Sequence, residues 1–206
     1  VFRFERNNFD RQTIFNNQIL FQHNHDGIIT FHNAPQEQCS VIKNHFNVYV
    51  GFVSGSETIL QNVLGTVPII INKDSSKNYL MVDKWEDATE QEQQYLTQHK
   101  EILIKRKVRT FNEENWWQFG LLRNKQHIDK HQGEDCIYLK LITRNIEVAW
   151  KGKVGYFGGS LLCLIPKHHV DIDSVVAHLN SDEFRQQWTS SGRFKITHRV
   201  ICNTVL

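Results

Sequence analysis

The sequence predicts an α+β chain, a mixed sheet with flanking helices forming one unit over residues 1–206. Several short runs rich in Val, Ile, Leu and Phe carry strand-like patterning. Other segments show helical spacing directly after residues that cap helices. No repeat, low-complexity tract or clear linker divides the chain.

Taken in order, QILFQHNHDGIITFH (Gln18 to His32) reads as two short strands around a turn at His25-Asp26-Gly27. VYVGFVS (Val48 to Ser54) is a further extended segment, ending in the Gly-bearing SGS. PIIINKD and SSKNYLMVDKW form a strand pair around a polar turn. The period then changes. Thr89-x-x-Glu92 is a capping box, and Leu96, His99, Ile102 and Leu103 recur at helical spacing, which predicts one helix from about Thr89 to about Lys105. CIYLKLITR (Cys136 to Arg144) and SLLCLIP (Ser160 to Pro166) read as buried strands, with the glycine-rich KGKVGYFGG between them as a loop. Asp173 is expected to cap a helix carrying Val175, Val176 and Leu179, and Ser181 the next one toward Trp188. Read as a strand, the SGRFKITHRV segment places Arg193, Lys195, Thr197 and Arg199 on one face. Phe194, Ile196, His198 and Val200 lie on the other.

Composition narrows the function. With 40% hydrophobic and 22% charged residues, the chain has the make-up of a globular protein. A net charge of +2 and a pI near 8.4 mean that any site for a polyanion must be a local patch. Cys39, Cys136, Cys163 and Cys202 are widely spaced without a C-x-x-C, which argues against a zinc knuckle or redox motif and fits a reducing, cytoplasmic setting. No apolar run approaches a membrane span and no signal peptide is visible, so no membrane partner is expected. The chain begins at Val1 and its single methionine is Met81, which suggests a piece of a longer protein.

Catalytic patterns are missing. There is no Walker loop, no Gly-x-Gly after a strand, and no Asp-x-Lys or Glu-x-Lys of metal-dependent nucleases. The prolines, Pro35, Pro68 and Pro166, are never adjacent, so the (Asn/Asp)-Pro-Pro-aromatic loop of adenine-specific DNA methyltransferases is absent. No catalytic residue and no cofactor are therefore assigned to this chain. His23 and His25, His127 and His131, and His168 and His169 are read as exposed or hydrogen-bonded loop histidines, so no metal ligand is assigned either.

The remaining signals point to DNA. IKRKVR concentrates Lys105, Arg106, Lys107 and Arg109 in five positions, and the cationic face at Arg193, Lys195 and Arg199 is a second basic stretch suited to phosphates. In NEENWWQFGLLRN the adjacent Trp116 and Trp117 point in different directions. One is expected in the core and the other to brace Arg123 and Asn124, the side chain types best shaped to read guanine and adenine edges. The small-residue loop at Ser54 and Ser56 offers backbone N–H groups to a phosphate. Asn115, Arg144 and Tyr156 complete the candidate set.

These segments, in this order, resemble the C-terminal target recognition domain of γ-class N6-adenine DNA methyltransferases of restriction–modification systems. The resemblance rests on VYVGFVSGSE, then YLTQHKEILIKRKVRTFNEENWWQFGLLRN, then CIYLKLITRN with YFGGSLLCLIPK, and finally LNSDEF with SSGRFKITHRVICNTVL. It covers about residues 40 to 206. It implies a partner of double-stranded DNA and a methyltransferase catalytic domain, in cis or in trans. That domain binds S-adenosylmethionine and flips the adenine while the recognition domain grips the major groove. A specificity module of a restriction endonuclease, or a type I specificity subunit, is the alternative the same segments allow. GLLRN and the His127 to Gly133 loop depart from the family, so the recognised bases do not follow from it.

Overall fold

The computed structural model describes residues 3–4, 12–15, 18–25, 27–32 and 40–206. Its centre is built from the two apolar runs foreseen as buried strands. β1 (Arg3–Phe4), β2 (Gln12–Phe15), β3 (Gln18–His25) and β4 (Ile28–His32) form an antiparallel meander near the start. The hairpin expected over Gln18 to His32 is its second half, with Gly27 at φ 77° in the turn and Asp26 outside the described residues.

Past α1 (Ile42–His45) and β5 (Phe46–Val50), the chain passes through α2 (Glu57–Leu60) to the hairpin β6 (Val67–Asn72) and β7 (Ser75–Tyr79). α3 (Glu90–Gln98), α4 (Lys100–Leu103) and α5 (Lys125–Lys130) precede β8 (Asp135–Lys140), β9 (Ile142–Thr143), β10 (Ala149–Lys153) and β11 (Leu161–Pro166). α6 (Ile172–Asn180), α7 (Asp182–Gln187), β12 (Thr189–Ser190), β13 (Arg193–Lys195) and α8 (His198–Cys202) close the chain. The central sheet has the order β10-β8-β11-β5. Every ladder between these strands is antiparallel, and among the described residues parallel pairing is confined to the isolated bridges Phe52–Gly158 and Ile70–Phe157. The sheet is therefore less mixed than expected, within an α+β fold.

Strand alternation sorts the core into two faces. Ile137, Leu139, Leu162 and Leu164 join Val175, Leu179, Phe184, Phe194 and Ile201 beneath the C-terminal helices. Cys136, Tyr138, Cys163 and Ile165 point the other way, to Ile128, Trp150 and Phe157. Both faces are covered, so β8 and β11 read as continuous apolar runs. A separate cluster joins Leu60, Ile69, Tyr79, Leu96, Leu103, Trp116 and Phe119, the apolar faces of α2, the β6–β7 hairpin and α3–α4.

The expected helix from Thr89 is two. Its capping box is present, with Glu92 N–H donating to Thr89 Oγ1 and Thr89 N–H to Glu92 Oε2. At His99 (φ −107°, ψ 8°) the backbone leaves helical geometry, and the turn that follows buries Leu103 and leaves Ile102 58% exposed. Lys151 to Lys153, expected in a loop, is strand β10, where a Cβ on Gly152 would lie 3.1 Å from the Tyr138 ring. That glycine makes room for a core aromatic rather than a turn. Asp171, not Asp173, caps α6, accepting from the Asp173 and Ser174 N–H groups. Starting at Ile172 lets Ile172, Val175 and Leu179 share the buried face. Ser181 caps α7 as expected, accepting from Phe184 N–H.

Candidate nucleic-acid interface

The basic run follows directly from the end of α4, and its four cations divide sharply. Lys105 and Lys107 are exposed. Arg106 turns inward and is 7% exposed. Its Nε donates to Leu103 O at 2.8 Å, Nη1 to Ser54 O at 2.9 Å, and Nη2 to Trp116 O at 2.7 Å and Gln118 O at 2.8 Å. One guanidinium thus ties the end of α4 to the SGS loop and the tryptophan segment. Burial, and then the positive charge of Arg109, pull its pKa down to about 10. Arg109 itself donates to Gln118 Oε1 and Phe119 O and lies over the Phe111 ring.

Both tryptophans pack inward, against a third. Trp85 sits 5.2 Å from Trp116 and 5.1 Å from Trp117, centroid to centroid. Trp117 therefore braces Trp85 rather than Arg123, contrary to the expectation from alternate side-chain directions. A turn before Phe119, not a helix or strand, lets adjacent residues reach one cluster.

Several candidates are engaged inside the chain. Ser54 is buried; its carbonyl accepts from Arg106 and its hydroxyl from the Ser56 N–H. Asn115 Oδ1 accepts from Asn112 N–H. Asn124 holds a left-handed conformation (φ 59°) and donates from Nδ2 to Val50 O at 3.1 Å, so it fixes the entry to α5. Tyr156 donates to Asp129 at 2.6 Å and packs on Phe52. The bonds from Lys125 and then from Tyr156 hold the Asp129 carboxyl below its ordinary value. Arg199 does not share a strand face with Arg193 and Lys195. The strand ends at Lys195, and Thr197 caps α8, which carries Arg199. The alternation read from sequence holds from Arg193 to Ile196, with Phe194 and Ile196 buried between exposed Arg193 and Lys195.

Seven candidates are exposed, Arg199 among them. Lys105, Lys107, Arg123, Arg144, Arg193 and Lys195 are all exposed, and among the described residues none has a carboxylate partner. Some other surface cations do, Lys73 with Glu147, Lys125 with Asp129, Lys151 with Asp173, Lys153 with Asp135 and Arg185 with Asp182, whereas among the described residues Lys77, Lys84 and Lys130 are exposed without one. Among the described residues, several of the histidines have protein partners as well, while the side chains of His23 and His25 lie outside the described set. His45 Nδ1 and His168 Nε2 are 3.2 Å apart, His131 bonds Glu134, and His127 stacks on Tyr49.

The loops at Ser54 and Tyr156, distant in sequence, meet. Phe52 N–H donates to Phe157 O, and Gly159 N–H to Phe52 O at 2.7 Å. The approach is so close that a Cβ on Gly51 would fall 2.3 Å from Gly158 O. Between them opens a cleft of about 470 Å³, lined by Phe52, Tyr79 and Phe119 below and by Glu57, Gln61 and Lys77 at the rim. Burial, and then the negative charge of Glu57, raise the Tyr79 phenol above its ordinary value. This rim has no signature in the sequence: Glu57 ends VYVGFVSGSE, and nothing in the spacing ties it to Lys77 on the β6–β7 hairpin. No helix among the described residues is long and apolar enough to cross a membrane. A comparison with family models gives no match, and one with curated proteins gives none either.

Proposed function

We propose that this chain is a sequence-specific binder of double-stranded DNA, serving as the target recognition domain of a site-specific N6-adenine methyltransferase that acts in the cytoplasm. The observation that carries the reading is that Lys105, Lys107, Arg123, Arg144, Arg193 and Lys195, all in the segments that resemble such domains, are exposed and without carboxylate partners among the described residues. Unneutralised Lys and Arg displace condensed counterions from a duplex, whereas paired ones must first break an ion pair. The order of segments resembling such recognition domains supplies the methyltransferase part. In this reading the catalytic domain, in cis or in trans, brings S-adenosylmethionine, and this chain supplies register and base choice.

The test is duplex binding measured by fluorescence anisotropy across a salt series. Each phosphate contact contributes about 0.9 unit of log–log slope. Replacing Lys105, Lys107, Arg193 and Lys195 together with Ala is expected to flatten the slope by roughly three to four units and to weaken all sequences alike. An unchanged slope in the quadruple variant removes these residues from the interface and, with it, the electrostatic basis of the reading.

A further inference from the structure

The cleft between the SGS loop and the Gly158–Ser160 turn is not explained by phosphate contacts, because a carboxylate stands on its rim. Its floor is aromatic and nearly closed: Phe52 is 3% exposed, Tyr79 4% and Phe119 4%. Its rim carries Glu57 at the start of α2, Gln61 just past its end, and Lys77 on β7. Among the described residues, none of these three rim side chains has a hydrogen bond or ion pair. Glu57 and Lys77 do not neutralise each other, although both border one space. A volume of about 470 Å³ lies within the range of small-molecule sites. An apolar floor with a few convergent polar groups above it suits a flat ring with a polar edge.

The rim chemistry selects among such rings. A carboxylate only accepts hydrogen bonds, through two oxygens, and an ammonium only donates. Guanine's Watson–Crick edge offers two adjacent donors, N2–H and N1–H, followed by the O6 acceptor. Adenine and cytosine place a ring-nitrogen acceptor next to their amino group, where a carboxylate oxygen is repelled. Thymine flanks its one donor with acceptors. We propose that this cleft binds an unpaired guanine, with Glu57 accepting from N1–H and N2–H, Lys77 donating to O6, and the Phe52, Tyr79 and Phe119 floor under the ring. That edge is occupied in a duplex, so the guanine must stand outside the helix, as bases do when a protein reads their pairing edge. The inference rests on the DNA-binding reading and deepens it, adding a base-accepting site in the recognition half itself.

The probes are the mononucleotides dGMP, dIMP, 7-deaza-dGMP, dAMP, dCMP and dTMP, titrated at up to low millimolar concentration into the ¹⁵N-labelled chain. Saturable shifts at residues lining the cleft are expected for dGMP and 7-deaza-dGMP with equal affinity, because N7 is not read. dIMP, which lacks the N2 amino group, is expected to bind at least about threefold more weakly, and dAMP, dCMP and dTMP at least about tenfold more weakly. Glu57→Gln is expected to lower dGMP affinity at least tenfold with an unchanged melting temperature. Equal affinity for all the nucleotides, equal affinity for dGMP and dIMP, or no saturable binding by the wild-type chain overturns the proposal. The dGMP and dIMP comparison needs no variant and holds even if Glu57→Gln disturbs folding. Salt-dependent duplex binding without nucleotide binding discards this site alone, whereas loss of duplex binding discards the DNA reading.

Discussion

Removing the Arg106 guanidinium separates a structural cation from a DNA-binding one within a single basic run. Arg106→Met keeps much of the side chain's length and apolar bulk but deletes four hydrogen bonds, to Leu103, Ser54, Trp116 and Gln118. Each bond from a charged donor is worth about 1.5–3 kcal/mol on its own. They are not additive, and the buried cation carries a desolvation cost that the variant escapes, as its lowered pKa of about 10 attests. The expected net loss is about 3–5 kcal/mol, typical of orphaning one side of a buried charged arrangement. For a chain of this size each kcal/mol is worth about 2–4 °C, so the melting temperature is expected to fall on the order of 10 °C. Arg106→Lys, with one nitrogen in place of a fork, is expected to fall between. Differential scanning calorimetry reads the melting point, and duplex binding well below the variant's melting point reads the interface. A fall under about 3 °C together with a shallower salt slope refutes the bracing role and makes Arg106 a phosphate contact.

Two other outcomes follow from the geometry. Arg123→Ala is expected to cost about 1–3 kcal/mol against the correct base only, roughly tenfold or more in cognate affinity, while binding to random duplex barely moves. A falling melting point with an unchanged cognate-to-random ratio assigns Arg123 to structure instead. The Asp171 carboxyl is held below its ordinary value by the Ser174 hydroxyl and then the Ser174 backbone N–H. Its contribution is therefore complete above the ordinary aspartate range and is lost as pH falls through the lower folded value. Asp171→Asn is expected to flatten the acid side of the stability profile below about pH 4, and an identical acid limb in both proteins removes Asp171 from the account.

What was legible in the sequence was what local spacing determines. The Thr89–Glu92 box, the Ser181 cap and the strands β8 and β11 are each set by residues within a few positions. The Asp171 cap was misplaced by two residues because Asp171 and Asp173 are both followed closely by apolar residues, Ile172 in one case and Val175 and Val176 in the other, and burial of Ile172 decides between them. Gly152 misled for a different reason. A glycine that makes room for a neighbouring strand's Tyr138 has the same letter as one that turns the chain. The candidate site divided along the same line. Exposure at Lys105, Lys107, Arg193 and Lys195 follows from strand alternation and the end of a helix, whereas the inward turn of Arg106 depends on carbonyls up to 52 positions away. The cleft rim, drawn from α2 and β7, has no local signature.

The close seam between Gly51 and Gly158 also determines where this chain has room to vary. A side chain at Gly51 would collide with Gly158 O at 2.3 Å, and one at Gly120 with Val53 O at 2.3 Å, so those junctions admit only their present residue. At Gly133 and Gly192 a Cβ would meet nothing within 4 Å, although both hold positive φ. Residues added to those two turns would protrude into open space while the seam stays closed. Gly192 leads directly into Arg193, and Gly133 closes the segment after α5. New contacts can therefore be acquired at the periphery without reopening the junctions that shape the cleft.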